Sequence, residues 1–485
     1  MVDYVSTLSI DFSLIYPEIA LIIGAFLMLG VACSRRLAPM APNLALLTYV
    51  VSLYLILNQW GLQGAGFADM VVCDSFAIMF KAIFVVASIV TILLAQYYLK
   101  TKGIDRPEFY VLMLISTVGM MAMTATADLV VMLIGLEVMS LPLYVLAGFN
   151  RRSLKSNEAG VKYFMMGAFA SAFLLLGIAF IFGAAETTNL RRIVTDFSYL
   201  LHHQTSGIYL ISGAVLVFIG FGFKIAAVPF HSWVPDVYEG APTPVTAFFS
   251  VAPKAAAFAV LLRIFVFGFS GLSELTTVFS VFAVLTMSVG NILALRQDNV
   301  KRMLAYSSIS HAGYIMVALA VGGPEGVSAA IFYIASYTMF NLGAFGVVTV
   351  LETRSGCQSD YSELTGLSKA HPYLACVFAL FMFALAGFPP TVGFFGKFYL
   401  FSAAIQANLI WLTIIGVMNS FVSVYFYLRV VKVSFFDTSE KTFSKVRLTP
   451  AIVLALALTA IATLGIGLFP HQLLRLSQAA IFGLP

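Results

Sequence analysis

Apolar segments long enough to cross a bilayer recur along the whole chain, and this spacing constrains the fold more than any other feature. Each predicted segment approaches the roughly 20 residues that a helix needs to span hydrocarbon. Only 10% of the 485 residues are charged, whereas a soluble domain carries roughly 25%. We therefore predict an all-α polytopic membrane protein. About 14 spans are expected near residues 15–33, 43–57, 76–99, 109–125, 129–149, 161–183, 208–229, 245–267, 275–295, 301–321, 327–351, 373–406, 409–435 and 450–469.

The basic residues predict the orientation of these spans, because cytoplasmic loops are enriched in Lys and Arg. With 14 spans, nearly all basic loops lie on one side, apart from Arg191 and Arg192. Both termini are then expected on the periplasmic side. The acidic start MVDYVSTLSIDF lacks the positive region of a cleaved signal peptide, so we expect the first span to be retained. The residues that define the cytoplasmic loops are Arg35, Arg36, Lys100, Lys102, Arg106, Arg151, Arg152, Lys155, Arg296, Lys301, Arg302, Arg354, Lys369, Lys432, Lys441, Lys445 and Arg447.

Two stretches of the chain resemble each other at a constant offset of 170 residues. They predict two five-span units, 109–267 and 275–435, flanked by three N-terminal helices in 1–108 and by a loop and last helix in 436–485. Because five is an odd number, the second unit enters the membrane from the opposite side, which makes an inverted repeat. The matching residues are Asp128, Val130, Ser140 and Tyr144, with Asp298, Val300, Ser310 and Tyr314.

Each unit contains one span interrupted by proline. Pro229 ends the seventh span, and Pro389 and Pro390 divide the twelfth, between Gly387 and Gly393. Membrane proteins tolerate such breaks only where protein or water receives the freed backbone groups. Transporters commonly place an ion site beside broken helices. The sequence thus predicts a hydrated ion route near these breaks.

Five ionisable residues are predicted at mid-membrane depth: Glu137, Lys224, Lys254, His311 and Lys397. An intramembrane ionisable residue is a functional hypothesis by default, since its insertion costs about 2.5–3.5 kcal/mol. Desolvation lowers the pKa of a lysine and raises the pKa of a carboxylate, whereas a neighbouring opposite charge reverses both shifts. A Glu–Lys pair that forms and breaks can therefore load and release a proton. We predict a proton relay through these residues.

Structural roles are the alternatives for the same residues. Glu137 and Lys224 are also consistent with a static buried ion pair, and Lys254 or Lys397 with side chains that reach an interface. His311 fits a core histidine bonded to Ser307 or Ser310. Lys81, Lys162, Arg263 and Arg429 lie near span ends and are interpreted as anchors. Pro253 is expected to distort its helix, because it removes a backbone hydrogen bond.

Motifs for soluble chemistry are missing from the sequence. It contains no dinucleotide-binding glycine motif, P-loop, nucleophile elbow or cluster of metal ligands. The scattered cysteines form no CxxC pair, and the net charge of +5 implies no nucleic-acid partner. No cofactor or metal is therefore expected on this chain, and redox chemistry is expected in other polypeptides.

Four long motifs carry a resemblance to a known family: GLEVMSLPLYVL, FKIAAVPFHSWVPDVYEGAPTPV, NVKRMLAYSSISHAGYIM and LAGFPPTVGFFGKFYLF. They resemble the proton-translocating, antiporter-like membrane subunits of respiratory complex I, the NADH–quinone oxidoreductase. DVYEGAPTPV and the GKF around Lys397 are most similar to the N type. The M type is expected to carry a glutamate in place of Lys397, and the L type a long C-terminal lateral helix. The resemblance covers essentially the whole chain.

The resemblance implies 14 helices with two inverted five-helix repeats, in a bacterial inner membrane. It implies partner subunits of the L, M, K, J, A and H types, with NADH, flavin, iron–sulfur clusters and quinone bound elsewhere in the complex. It also implies that Glu137, Lys224, Lys254 and Lys397 form the proton relay, with His311 on the same axis. The chain would then be an enzyme subunit without a redox centre.

Three other functions are compatible with the pattern. The first is a subunit of a multi-subunit monovalent cation/proton antiporter, which shares the architecture. The second is a membrane spacer whose charges only hold helices together. The third is a free-standing secondary transporter, which the lack of a further polar cluster disfavours.

Overall fold

The computed structural model describes residues 10–34, 36–269, 272, 274–353, 359–437, 446 and 448–481, excluding the side chains of His202 and Gln204. Of the basic residues that predict the orientation, Arg35, Arg354, Lys441, Lys445 and Arg447 lie outside the described residues, as does most of the predicted loop in 436–485.

Helices make up almost all of the described chain. A small antiparallel hairpin, β1 (Gly64–Gly66) and β2 (Val71–Cys73), pairs Ala65 with Val72 between the second and third helices. The α-helices are α1 Tyr16–Ala32, α2 Ala41–Asn58, α3 Ser75–Lys102, α4 Pro107–Thr124, α5 Leu129–Ala147, α6 Leu154–Ala185, α7 Leu190–His202, α8 Gln204–Ile225, α9 Trp233–Gly240, α10 Thr243–Leu261, α11 Glu274–Leu295, α12 Val300–Val321, α13 Gly323–Glu352, α14 Leu367–Ala370, α15 Pro372–Ala386, α16 Val392–Gln406, α17 Ile410–Phe435, α18 Pro450–Leu468 and α19 Pro470–Ala479.

The predicted all-α polytopic fold is confirmed. Within the described residues, 13 helical segments are long and apolar enough to cross a membrane. Helices α15 and α16 occupy the predicted broken span 373–406, and counting them as one crossing gives the predicted 14. Four further helices, α7, α9, α14 and α19, were not predicted, because they are too short or too polar to resemble spans.

The N-termini of several helices carry capping side chains. Asp74, Asp128 and Asn299 precede α3, α5 and α12, and each accepts a hydrogen bond from a backbone N–H in the first turn. Such caps satisfy donors that have no partner inside the helix. The helix starts are therefore encoded locally, whereas packing decides which face each helix buries.

At the two proline breaks, exposed backbone carbonyls accept hydrogen bonds from side chains. Helix α8 ends at Ile225, and the indole Nε1 of Trp233, on α9, donates to the Phe223 carbonyl at 3.1 Å. Helix α15 ends at Ala386, whose carbonyl accepts from Lys397 Nζ, on α16, at 2.9 Å. Both breaks thus meet the requirement that freed backbone groups find partners within the membrane.

Helix α10 lies at the centre of the molecule and is buried along its whole length. It remains α-helical through Pro253, and a π-helical segment, Leu262–Gly268, continues it. The expected distortion at Pro253 therefore does not interrupt the helix. Helices α3, α12 and α13 pack around α10 and enclose its polar side chains.

A backbone strap occurs twice in the chain. Asp128 forms an isolated antiparallel bridge with Asn189, and Asn299 forms one with Asp360. Each strap joins the residue before one helix to the segment that follows the next long helix. Every residue of the first strap lies 171 positions before its counterpart in the second.

Close helix contacts repeat at the same spacing. A Cβ atom on Gly119 would lie 2.3 Å from the backbone nitrogen of Met139, and one on Gly290 would lie 2.7 Å from that of Ser310. Only glycine permits such an approach of α4 to α5 and of α11 to α12. Gly119 and Gly290, like Met139 and Ser310, are also 171 positions apart. The backbone offset is therefore one residue larger than the offset of 170 between the residue identities.

Candidate functional site

The side chain of Lys224 is buried beside the first break. It projects from the last turn of α8, and its Nζ donates to Ser140 Oγ at 2.8 Å and to the Tyr144 hydroxyl at 3.0 Å, both on α5. The rings of Tyr144 and Tyr163 lie 5.0 and 5.4 Å from the amine. Aromatic faces attract cations, so this pocket accommodates a charged amine without a carboxylate.

Glu137 is not paired with Lys224 in this structure. Its Oε1 atom is buried and has no hydrogen-bond partner, and the Lys224 amine is bonded to two hydroxyls instead. The side chain is partly exposed, on the same face of α5 as Ile134 and Leu141. The alternative of a static Glu137–Lys224 pair is therefore wrong for this conformation.

Lys254, on α10, reaches across to α12. Its Nζ donates to the carbonyl oxygen of Ser308 at 2.9 Å and to its Oγ at 2.8 Å, and the Tyr238 ring lies 5.8 Å away. The residue is only 4% exposed. The interpretation of Lys254 as a side chain that reaches an interface is therefore wrong.

His311 follows Ser308 by one turn on α12 and is bonded at both ring nitrogens. Nδ1 lies 2.7 Å from the Tyr333 hydroxyl and Nε2 lies 3.1 Å from the Tyr427 hydroxyl. Tyr427 in turn lies 2.5 Å from Ser307 Oγ. His311 thus has no direct bond to either predicted serine, and Tyr427 links it to Ser307.

Lys397 is buried at the second break. Besides the Ala386 carbonyl, its Nζ donates to the Leu385 carbonyl at 3.3 Å and to Ser420 Oγ at 2.8 Å. The Tyr314 ring, on α12, lies 5.0 Å from the amine. An apolar cavity of about 710 Å³ borders the side chain on the face between α16 and α17.

One face of α12 joins the second half of the predicted axis. Ser308, His311 and Tyr314 follow one another at three-residue spacing, which places them on one side of a helix. Ser308 contacts Lys254, and Tyr314 contacts Lys397. The structure therefore brings Lys254, His311 and Lys397 together around α12.

Among the residues that the structure describes, aromatic side chains connect Lys224 to this group. Tyr163, beside the Lys224 amine, stacks on Trp233 with ring centres 4.6 Å apart, and Trp233 lies 6.3 Å from Tyr238. Tyr238 borders Lys254. Aromatic side chains therefore lie between Lys224 and Lys254, and the relay through the five residues stays a prediction.

Sequence reasoning missed an acidic group at the end of α13. Glu352 is buried, accepts hydrogen bonds from Tyr98, Thr243 and Ser359, and lies 3.6 Å from Lys301 Nζ. Lys301 had been assigned only to a cytoplasmic loop. The sequence signal that could have identified Glu352 is an acidic residue at the end of a long apolar span.

A polar stripe on α10 connects this group with Lys254. Thr243, Thr246 and Ser250 precede Lys254 at spacings of three, four and four residues, so all lie on one helix face. Thr243 bonds Glu352, and Ser250 accepts from Asn341 Nδ2 at 2.6 Å. The stripe covers roughly 16 Å of helix. A polar cavity of about 320 Å³, lined in part by Glu352 and Lys301, lies at its outer end.

Two of the predicted anchors are buried ion pairs. Arg263 binds Asp74 through both terminal nitrogens, at 2.9 and 3.1 Å, and both side chains are fully buried. Lys81 lies 2.6 Å from Glu18, also inside the protein. The anchor interpretation is wrong for both, because each cation meets a carboxylate from another part of the chain.

The other two predicted anchors lie at the surface. Lys162 contacts Glu158 and Asp236 at 2.6 and 2.7 Å, and Arg429 contacts Asp298 at 3.0 Å. Their charged groups are partly exposed, as the anchor interpretation requires.

No cluster of three or more His, Cys, Asp or Glu side chains suited to a metal ion occurs among the residues that the structure describes. The groups that the site does bring together are amines, an imidazole and hydroxyls, which are able to exchange protons.

Comparison with known proteins gives a consistent family. The family model described as NADH:quinone oxidoreductase/Mrp antiporter, TM, matches residues 126–423. NADH-quinone oxidoreductase subunit N of Trichlorobacter lovleyi is 45% identical, over 98% of this chain and 97% of the relative. Subunit N 2 of Rhizobium meliloti is 42% identical, over 96% and 97%.

Solved structures share the fold. A chain of respiratory complex I from Thermus thermophilus with bound Aureothin superposes with a TM-score of 0.77 at 31% identity, covering 96% of this chain and 98% of that one. A chain of the Mrp complex from Dietzia superposes with a TM-score of 0.82 at 24% identity, covering 97% and 96%. The latter likeness concerns the fold alone. The family match and the relatives together show that this chain belongs to the family of NADH:quinone oxidoreductase and Mrp antiporter membrane subunits.

Proposed function

We propose that the chain is a proton-translocating membrane subunit of NADH–quinone oxidoreductase, without a redox centre of its own. The observation that carries the proposal is the buried line Lys254, Ser308, His311, Tyr314 and Lys397. Every member is an amine, an imidazole or a hydroxyl. Such groups exchange protons, and the line crosses the most buried part of the molecule.

The relay begins at Lys224 and Glu137. Electron transfer in other subunits changes the electrostatic field at Glu137, whose free Oε1 atom is available for a new partner. A stronger or weaker attraction for Lys224 changes the proton affinity of that amine. Lys224 then exchanges a proton with Lys254 past the aromatic side chains, and Lys397 controls release on the far side.

Glu352 and Lys301 form the inlet in this scheme. Their cavity lies at the end of the α10 stripe, and Thr243, which bonds Glu352, is the first residue of that stripe. Hydroxyl groups spaced along a helix, together with the water that they bind, can pass protons towards Lys254. Glu352 is thus the group that first accepts a proton.

The repeated straps and glycine contacts support the division into two five-helix units, 109–267 and 275–435. Residues 1–108 and 436–485 then flank these units. The first unit carries Glu137, Lys224 and Lys254, and the second carries His311 and Lys397. The relay would therefore cross from one unit to the other at the contact of Lys254 with Ser308.

The resemblance to N-type subunits supports an assembly with L-, M-, K-, J-, A- and H-type subunits in a bacterial inner membrane. NADH, flavin, iron–sulfur clusters and quinone would bind elsewhere in that complex. Both termini are proposed to face the periplasm, since the loops rich in Lys and Arg would then face the cytoplasm.

Proton translocation per NADH oxidised by the assembled complex tests the proposal. We expect Glu352→Gln and Lys254→Met to lower this ratio strongly while assembly persists. Lys162→Met removes a lysine from the surface of α6 and is the matched control. An unchanged ratio in both relay variants would refute the relay.

A cation/proton antiporter subunit is the second candidate, favoured by the family model that the two functions share. The polypeptides that copurify in mild detergent distinguish the two. Partners with flavin and iron–sulfur clusters support the oxidoreductase, whereas antiporter partners and sodium–proton exchange support the alternative. If the chain is only a membrane spacer, Lys254→Met should prevent assembly of the complex.

A further inference from the structure

A third cavity, of about 440 Å³, lies away from the relay. It opens between the start of α4 and the end of α5, on the side where basic residues are concentrated. Arg106, Arg151 and Arg152 line it, together with the backbone around Gly148. We call it the arginine cavity.

The arginine cavity carries an excess of positive charge. Within the described part of the chain, none of its three guanidinium groups lies in an ion pair, whereas Arg263, Arg302 and Arg429 all do. Glu108 contributes the one carboxylate to the lining that the structure describes. It is too far from the arginines for an ion pair, so a net charge of about +2 remains for an anion.

Exposed apolar side chains continue from the cavity along one face of α5, and we call this strip the α4–α5 groove. Leu112 and Val145 line the inner side of the cavity. Leu141 and Ile134 follow Val145 on the same face of α5, all three are more than half exposed, and the partly exposed Glu137 lies between Ile134 and Leu141. An alkyl chain that lies along this face would extend directly from the arginines into the hydrocarbon.

We propose that the arginine cavity binds the phosphate group of an anionic phospholipid, with an acyl chain along the α4–α5 groove. Basic pockets between membrane helices on the cytoplasmic side favour anionic headgroups, and arginine matches phosphate through parallel hydrogen bonds. The adjoining apolar groove distinguishes a lipid from a free phosphate ion. The proposal does not depend on the proton relay.

Lipid retention by the full-length chain tests the proposal, in the assembly in which mild detergent extracts it. The preparation is exchanged into vesicles of phosphatidylglycerol and phosphatidylcholine, re-extracted, and analysed for bound lipid by native mass spectrometry. We expect phosphatidylglycerol to be retained, and the double variant R151A/R152A to lower its retention about tenfold or more. The double variant R191A/R192A, which removes an arginine pair outside the cavity, is the matched control.

A second variant tests the contribution of the groove independently of the arginine charges. Val145→Trp blocks the groove but leaves the three arginines in place, so retention of phosphatidylglycerol should fall while assembly is preserved. Equal retention in R151A/R152A and the control would overturn the proposal. Displacement of the lipid by inorganic phosphate would indicate a small-anion site instead, and crosslinking of Arg151 to an acidic segment of a neighbouring polypeptide would indicate a protein contact. Either result would also reject the lipid site.

Discussion

Lys254 and Ser308 are joined by two hydrogen bonds from one amine, to the Ser308 carbonyl at 2.9 Å and to its hydroxyl at 2.8 Å. The contact connects α10, which carries the polar stripe from Glu352, with the face of α12 that leads to Lys397. The hydroxyl also donates to the Ala305 carbonyl at 2.8 Å. Ser308 therefore lies where the inlet and outlet parts of the proposed relay meet.

Ser308→Ala tests this junction. The variant keeps the carbonyl bond to Lys254 but removes the hydroxyl, so we expect severalfold slower proton translocation with normal assembly. Proton uptake into vesicles that contain the assembled complex, measured with a pH-sensitive dye, gives the rate. Ser336→Ala is the control, since Ser336 is an equally buried serine that bonds only within its own helix, to Phe332. Equal rates in the two variants would exclude a role for the Ser308 hydroxyl.

Tyr427→Phe should destabilise the protein more than Tyr333→Phe does. The Tyr427 hydroxyl contacts both His311 and Ser307, whereas the Tyr333 hydroxyl contacts only His311. Each lost hydrogen bond costs about 1 kcal/mol. We expect a larger fall in thermal stability and in translocation rate for Tyr427→Phe. The reverse order would contradict the hydrogen-bond pattern around the imidazole.

Asp74→Ala should destabilise the protein strongly, because it leaves the buried Arg263 guanidinium without its carboxylate. Breaking a buried pair from one side costs about 3–5 kcal/mol. We expect little assembled protein after extraction, measured by size-exclusion chromatography. The double variant Asp74→Ala with Arg263→Met should recover much of the loss, since no unpaired charge remains. Failure of the double variant to exceed the single one would argue against the charge as the cause.

Asp236 and Glu239, on α9, form ion pairs at the surface with Lys155, Lys162 and Arg302. These pairs should make part of the protein's stability sensitive to acid. Partial burial raises the pKa of Asp236, but hydrogen bonds from Lys162 and Arg302 outweigh it and leave that pKa below its usual value. Burial raises the pKa of Glu239, and hydrogen bonds from Lys155 and Arg302 likewise bring it below normal. Carboxyls with lowered pKa values stabilise the folded state above their unfolded pKa and lose that contribution as the pH falls through the lowered values.

The double variant D236N/E239Q measures this contribution. We expect its melting temperature to lie below that of the wild type by a constant amount from about pH 5 to 8, and the difference to shrink below about pH 4. The effect is modest, because partly exposed pairs contribute at most about 1 kcal/mol each. Asp105→Asn is the contrasting control. Burial raises the pKa of Asp105, so its replacement should become more favourable as the pH rises. A difference for D236N/E239Q that grows with acid would contradict the assignment.

The spans and their breaks could be predicted from sequence because hydrocarbon thickness and proline chemistry act locally. Contacts between distant residues could not. Lys301 and Glu352 are 51 positions apart, and nothing in the pattern indicates that they meet. Arg263 and Asp74 are separated by 189 positions, and the position of Arg263 near a span end does not reveal this partner.

The orientation of Glu137 illustrates the same limit. A glutamate and a lysine at similar depth predict a pair, but the rotation of α5 about its axis decides whether they meet. Val130, Ile134, Leu141 and Val145 form the exposed face, and Glu137 lies along it. Their helical spacing was visible in the sequence, yet which face turns outward depends on packing against α4 and α6.

The recurring strap has a practical consequence. Asp128 and Asn299 cap corresponding helices and bridge to corresponding residues, yet one has a carboxyl side chain and the other an amide. Replacing each in turn by alanine removes the same kind of helix cap from two different surroundings. A difference between the two losses of stability then reports the effect of the side-chain type and of its neighbours, so each strap serves as the reference for the other.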